Sequence, residues 1–204
     1  SECLILPCPE ERKPSGTLKI IDEALNGAIS GAFKNKRFEG KPNQTLLFNG
    51  IGSLKADNLL LVGVGKTKDL TTEIICKASA SASKLAEGSN FKFVSIYLND
   101  SCFDKIAKGP RYGELAAAVA EGAGLALYHF DDYKSLNEKD SLPSRLQNLT
   151  LVPTTRTRQA ALTKAIARAQ KIVEAVHSAR DLVSHPGNTA TPTYLANYAK
   201  KMAR

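Results

Sequence analysis

Apolar residues recur along this chain in two periods. Leu162, Ile166, Ala169, Val173 and Val176 fall at helical spacing while Lys164, Arg168 and Lys171 share the opposite face. That stripe predicts an amphipathic helix from about Arg158 to about Ser184. Pro186 cannot continue it: the residue before a proline, His185, is pushed out of the α region, and Gly187 permits a turn. Thr191 then places an N-cap before a proline at the first helical position, so a second helix is predicted from Pro192 to about Met202. Earlier, Leu18, Ile21, Leu25, Ala28 and Ala32 give one helical stripe. Thr71 or Thr72 can cap a helix running to Glu87, and the alanine-rich stretch from Gly113 to about His129 reads as another.

The remaining apolar runs are short and β-rich. Cys3 to Leu6 reads as a strand closed by Pro7 and Pro9, with a polar loop from Glu10 to Gly16. Gln44 to Phe48 and Asn58 to Val64, separated by Asn49-Gly50 and Gly52, suit two neighbouring antiparallel strands. Phe91 to Leu98 is dense enough in apolar residues for a buried strand, and Leu146 to Val152 reads as one more. Strands and helices alternate after Asn58. The class is therefore α/β, a mixed β-sheet flanked by helices on both faces and followed by a long connecting helix.

A chain of 204 residues with 43% hydrophobic content can bury one substantial core and carry an appendage. No apolar run approaches the roughly 20 residues of a membrane span, and no secretory signal pattern opens the chain. A soluble cytoplasmic protein is expected, with no membrane partner. The chain begins at Ser1 without a methionine and ends inside the last predicted helix, which suggests trimmed or engineered ends. Cys3, Cys8, Cys76 and Cys102 form no Cys-x-x-Cys pair, so zinc lacks its spacing; Cys3 and Cys76 read as small buried hydrophobes.

Several tempting motifs have plainer readings. Gly63-Val64-Gly65-Lys66-Thr67 follows a hydrophobic strand, where phosphate loops sit, but Leu60 stands where one such loop needs glycine and Lys68 where another does. A tight structural turn is the preferred reading. Gly122 and Gly124 read as close-packing positions inside a helix. His129, His177 and His185 are too far apart for a His-x-x-x-His metal pair, and His129 is placed to bond the last carbonyls of its helix. Asp131 and Asp132 read as capping or solvated residues. No Ser-His-Asp arrangement can be argued.

The net charge of +8 changes the picture in one region. From Ser141 to Val173 the chain has Arg145, Arg156, Arg158, Lys164, Arg168 and Lys171 and no acidic residue. Such a stripe can attract phosphates, which makes Arg156, Arg158, Lys164 and Arg168 candidate nucleic-acid contacts. No aromatic residue interleaves them, so a solvated face, or one paired with acidic residues of another domain or subunit, is preferred.

Val176 to Ala199 reads VHSARDLVSHPGNTATPTYLANYA. With its Arg180-Asp181-Leu182, Pro186, Asn188 and Thr191-Pro192, this segment resembles the leucyl aminopeptidase (cytosol aminopeptidase) family; Ser184 stands where that family usually has an Asn. AEGAGLALYHFDDYKS from Ala120 to Ser135, FEGKPNQTLLF and LLLVGVGK are similar to segments of the family's N-terminal domain. The resemblance implies a macro-domain-like N-terminal α/β domain over 1–155, a connecting helix over 156–184 and the start of a C-terminal peptidase domain over 185–204. It also implies a parent that releases N-terminal amino acids from peptides with two divalent metals, zinc, manganese or magnesium, as a hexamer with the N-terminal domains at its outer corners. The family's Asn-Thr-Asp-Ala-Glu-Gly-Arg motif and glycine-rich ligand segments do not occur here. The expected role is therefore non-catalytic assembly, with catalytic, cofactor and metal residues none in this chain. Alternatives are a DNA-binding module, since some bacterial relatives bind DNA, and a nucleotide or ADP-ribose binder.

Overall fold

In the chain's computed structural model, residues 1–10, 13–52, 54–98, 112–134, 146–153 and 155–203 are described. Cys102, Ser135, Arg145 and part of the Glu10 to Gly16 loop lie outside them. The element order is β1 (Cys3–Pro9), α1 (Gly16–Ala24), α2 (Ala28–Lys34), β2 (Thr45–Phe48), β3 (Asn58–Gly65), α3 (Thr72–Gly88), β4 (Phe93–Leu98), α4 (Tyr112–Ala126), β5 (Asn148–Pro153), α5 (Gln159–Ser184) and α6 (Pro192–Met202). The five strands form one mixed sheet in the order β2-β3-β1-β4-β5. Among the described residues only β2 is antiparallel to its neighbour, with Thr45 opposite Val62 and Phe48 opposite Leu59.

Strand alternation sends successive side chains to opposite faces, and each face has its own helices. Ile5, Leu60, Val62, Val94 and Ile96 point into one core with Ile75 and Ala82 of α3, Leu115 and Val119 of α4, and Leu162 of α5. Leu6, Cys8, Leu59 and Leu61 point into the other with Leu18 and Ile21 of α1, Ile29 and Phe33 of α2, and Phe38. Phe33 and Phe38 meet edge to face at 5.5 Å.

Two expectations need correction. Strand β1 does not stop at Leu6 but runs through Pro7 and Pro9. Its register with β4 ends at Ile5, whereas its register with β3 continues to Pro9. Both prolines thus lie past the last β4 partner, where a missing N–H leaves no ladder bond unmade. The stripe from Leu18 to Ala32 is two helices rather than one. Asn26 and Gly27 adopt φ of 52° and 78°, the left-handed region that ends a helix. Asp22, buried, ties the two together by accepting from the Ser30 N–H and hydroxyl.

Glycines set two close approaches. A Cβ on Gly63 would lie 2.0 Å from the Lys41 carbonyl oxygen, and one on Gly122 would lie 2.1 Å from that of Cys76. The packing readings of Gly122 and Gly124 hold, since Gly124 faces Val173 in the same way. Gly63→Ala and Gly122→Ala are each expected to lower the unfolding free energy by about 2 kcal/mol or more. Gly31→Ala, with nothing within 4 Å of the new methyl, should raise it by about 0.5–1 kcal/mol. Urea unfolding of the three variants checks both signs.

Candidate functional site

Helices α4 and α5 lie side by side and run parallel. At their starts the Arg158 guanidinium sits 4.5 Å over the Tyr112 ring; near the end of α4, Gly124 meets Val173. The last turn of a helix leaves carbonyls without partners, and a donor or cation there is stabilising. α5 supplies both: His177 Nε2 donates to the Gly124 carbonyl at 3.1 Å, and Arg180 Nη1 donates to that of Leu125 at 2.8 Å. The expectation gave this role to His129. Because α4 ends at Ala126, His129 lies past the last turn and instead pairs with Glu87 at the end of α3, 2.9 Å away.

The same corner holds Tyr128. Its hydroxyl donates to Asp181 Oδ1 at 2.8 Å, and the Arg180 guanidinium lies 5.3 Å from its ring. Partial burial, reinforced by the bond to Asp181, holds the Tyr128 phenol above its usual pKa. A cleft of about 400 Å³ opens here, lined by Glu87, Tyr128, His129, His177 and Asp181 with Leu127 and Leu146. Its polar side chains are engaged with one another or with backbone, which makes it a joint between elements. Among the described residues no group of three or more His, Cys, Asp or Glu is placed to hold a metal ion.

Beyond α5, His185 organises a second set of contacts. Nδ1 lies 2.8 Å from the Tyr133 hydroxyl and Nε2 3.1 Å from that of Tyr194. Phe130, Tyr133 and Tyr194 present their rings near edge-on, at 5.3, 5.9 and 5.4 Å. A neutral imidazole donates from one nitrogen and accepts at the other, and a tyrosine hydroxyl can complement either. Thr191 caps α6 by accepting from the Tyr194 N–H. The cluster therefore pins α6 to the turn after α4. Sequence reasoning picked the 120–135 and 176–199 segments separately, by resemblance; the structure brings them into contact.

The candidate nucleic-acid residues divide. Arg156 is exposed in a 3-10 turn, and Arg158 is half-buried on Tyr112. Lys164 and Arg168 are exposed and come together on one wall of a groove of about 330 Å³, with Ala161 and Ala165 beside them and Gly113, Glu114 and Ala117 opposite. Gly63 and Gly65, expected in a tight turn after the strand, lie inside β3 and offer no spare donors. Gly63 N–H donates to Gln44 and Gly65 N–H to Gly40. Burial pushes the Cys3 thiol up to about 12, fitting a small core residue, and raises the half-buried Cys76 thiol as well.

Comparison with known proteins adds a family. The model described as "Cytosol aminopeptidase family, N-terminal domain" matches residues 5–137. A probable cytosol aminopeptidase of Alkalilimnicola ehrlichii is 33% identical over 204 residues, covering 100% of this chain and 40% of that protein. One from Azotobacter vinelandii is 35% identical over 201 residues, 98% of this chain and 39% of the relative. The chain thus spans about 40% of the length of such relatives. A mutant tomato leucine aminopeptidase superimposes over 99% of this chain and 39% of its own, with TM-score 0.73 and 21% identity. The bottromycin maturation enzyme BotP in complex with Mn does so over 99% and 36%, with TM-score 0.71 and 24% identity. At these identities the likeness is one of fold.

Two changes test the joint. His185→Ala combined with Tyr194→Phe should speed amide exchange in α6 by tenfold or more and leave the sheet unaltered, read by mass spectrometry. The Tyr128 pKa is raised in the folded state, so its contribution to stability is complete below the ordinary phenol value of about 10 and is lost as pH rises through the higher folded value. Absorbance titration should show one late-titrating tyrosine that Asp181→Asn returns towards the others.

Proposed function

The chain belongs to the cytosol aminopeptidase family, and we propose that it is the non-catalytic assembly portion of a longer metal-dependent aminopeptidase. The family's N-terminal domain occupies residues 5–137. On this reading 1–155 is the α/β domain, 156–184 the connector and 185–204 the start of the peptidase domain. The longer protein releases N-terminal amino acids from peptides, uses two divalent metals (zinc, manganese or magnesium) held outside this chain, and works as a hexamer in the cytosol, the setting its relatives' name gives. No helix among the described residues is long and apolar enough to cross a membrane.

The observation that carries the reading is the family match together with the use to which the polar residues are put. Tyr128, His177, Arg180, Asp181 and His185 join α5 and α6 to the sheet domain, which is what a domain-positioning element requires. α6 contains no buried residue and exposes Leu195 and Met202, while Val183 just before it is 87% exposed. A following domain would cover them.

A second reading has Arg156, Arg158, Lys164 and Arg168 contact DNA, favoured by the exposure of Lys164 and Arg168 on one wall. Glu114 across the groove opposes phosphate there.

The purified chain should not turn over a leucyl anilide with added manganese or zinc. Chelator-sensitive release of the anilide would overturn the non-catalytic reading.

A further inference from the structure

The outer surface of the α4–α5 pair carries two charged rows of opposite sign at the same spacing. Glu114 and Glu121 lie seven residues apart on α4, and Lys164 and Lys171 seven apart on α5, with Arg168 between. At 1.5 Å per residue each pair spans about 10.5 Å on one helix face. Glu114, Lys164, Arg168 and Lys171 are exposed and Glu121 is half-buried. Lys164, Arg168 and Lys171 are in no ion pair among the described residues. Between the rows the groove is walled by small residues, Ala117, Ala161 and Ala165.

Because the helices are parallel, with Tyr112 level with Arg158 and Gly124 level with Val173, Glu114 lies near the level of Ala161 and Glu121 near that of Ala169. A two-fold axis lying along the groove, parallel to the helices, keeps this order and lays α4 of one copy over α5 of the other. It carries Glu114 to within about 4.5 Å, along the helix, of the level of Lys164 in a second copy and Glu121 to a level between Arg168 and Lys171. We propose that this face is an isologous interface, in which the acidic row of each copy pairs with the basic row of the other over an alanine seam. The matched spacing favours a second copy over an unrelated acidic partner. Nucleic acid fits less well, since Glu114 and Glu121 repel phosphates. The proposal rests on the assembly reading and names its surface.

The test is sedimentation of the chain, of K164E/K171E, of E114K/E121K and of an equimolar mixture of the two variants. The wild type should dimerise at low salt and dissociate as salt rises from about 0.05 M to about 0.5 M, as screened surface charges do. Each variant alone faces like charge with like and should associate at least tenfold more weakly. The mixture pairs a face that is acidic but for Arg168 with one wholly basic face and should recover the dimer, which also shows that both variants are folded. A dimer indifferent to both reversals overturns this surface and leaves the assembly reading standing. A wild-type chain monomeric at about 1 mM in low salt overturns both. A 20-base-pair duplex, added in a parallel run, that co-sediments with the wild-type chain in place of a dimer would put the nucleic-acid reading in its stead.

Discussion

Residue 122 has no side chain, and the helical layer behind the sheet depends on that. An added Cβ would lie 2.1 Å from the Cys76 carbonyl oxygen, so only glycine lets α4 settle against α3. Once it does, Ser79 Oγ reaches the Val119 carbonyl at 2.7 Å, and Ala78, Ala82, Ala116 and Ala118 fill the space with methyl groups. Small side chains bury little area each, so their contribution comes from the number of close contacts. A gap of about 0.5–1 Å would forfeit roughly a quarter to a half of it. The opposite face of the sheet is built from Ile29, Phe33 and Phe38, whose larger side chains contribute more area apiece and depend less on one contact.

The position of α4 in turn fixes α5. Gly124 admits Val173, and the carbonyls that α4 leaves open at its end are met by His177 and Arg180 from the neighbouring helix. Each such bond is worth about 1 kcal/mol, but an open carbonyl in a half-buried corner would cost more than that. The caps therefore act mainly as specificity. They accept one rotational setting of α5 and make others leave acceptors unmet. A helix of 26 residues that is largely exposed is held to the domain by a few directional contacts at its far end and by Leu162, Ala165 and Ala169 along its length.

What was legible in the sequence was periodic. The helix from Thr72, capped by Thr71, the antiparallel pairing of the two early strands and the stop at His185-Pro186 all follow from local patterns that tertiary structure had no reason to override. The misses came where one residue outweighed a pattern. The stripe from Leu18 to Ala32 is continuous in hydrophobicity, but the backbone of Asn26 and Gly27 breaks it. Pro7 and Pro9 looked like strand breakers because sequence cannot show which side of a strand lacks a partner. The carbonyl caps went to His177 instead of His129 because the pairing crosses 53 residues, and no local spacing encodes that.

α6 shows what the joint is built to do. Eleven residues make a helix that is marginal alone in water, and this one buries none of them. It is held at its N-terminal end by Tyr194, which is bonded to His185, while Tyr198 one turn on stacks against Tyr194 at 6.4 Å. Hydrogen bonds and edge-on rings fix orientation more than they supply burial. Leu195 and Met202, seven residues apart, are left facing outward on the same side of the helix, 44% and 68% exposed. A segment oriented on one side and unburied on the other is half of an interface. The proposed longer protein gives that geometry a physical reason, because the polar cluster sets the direction of the following domain while the apolar stripe is kept for it to cover.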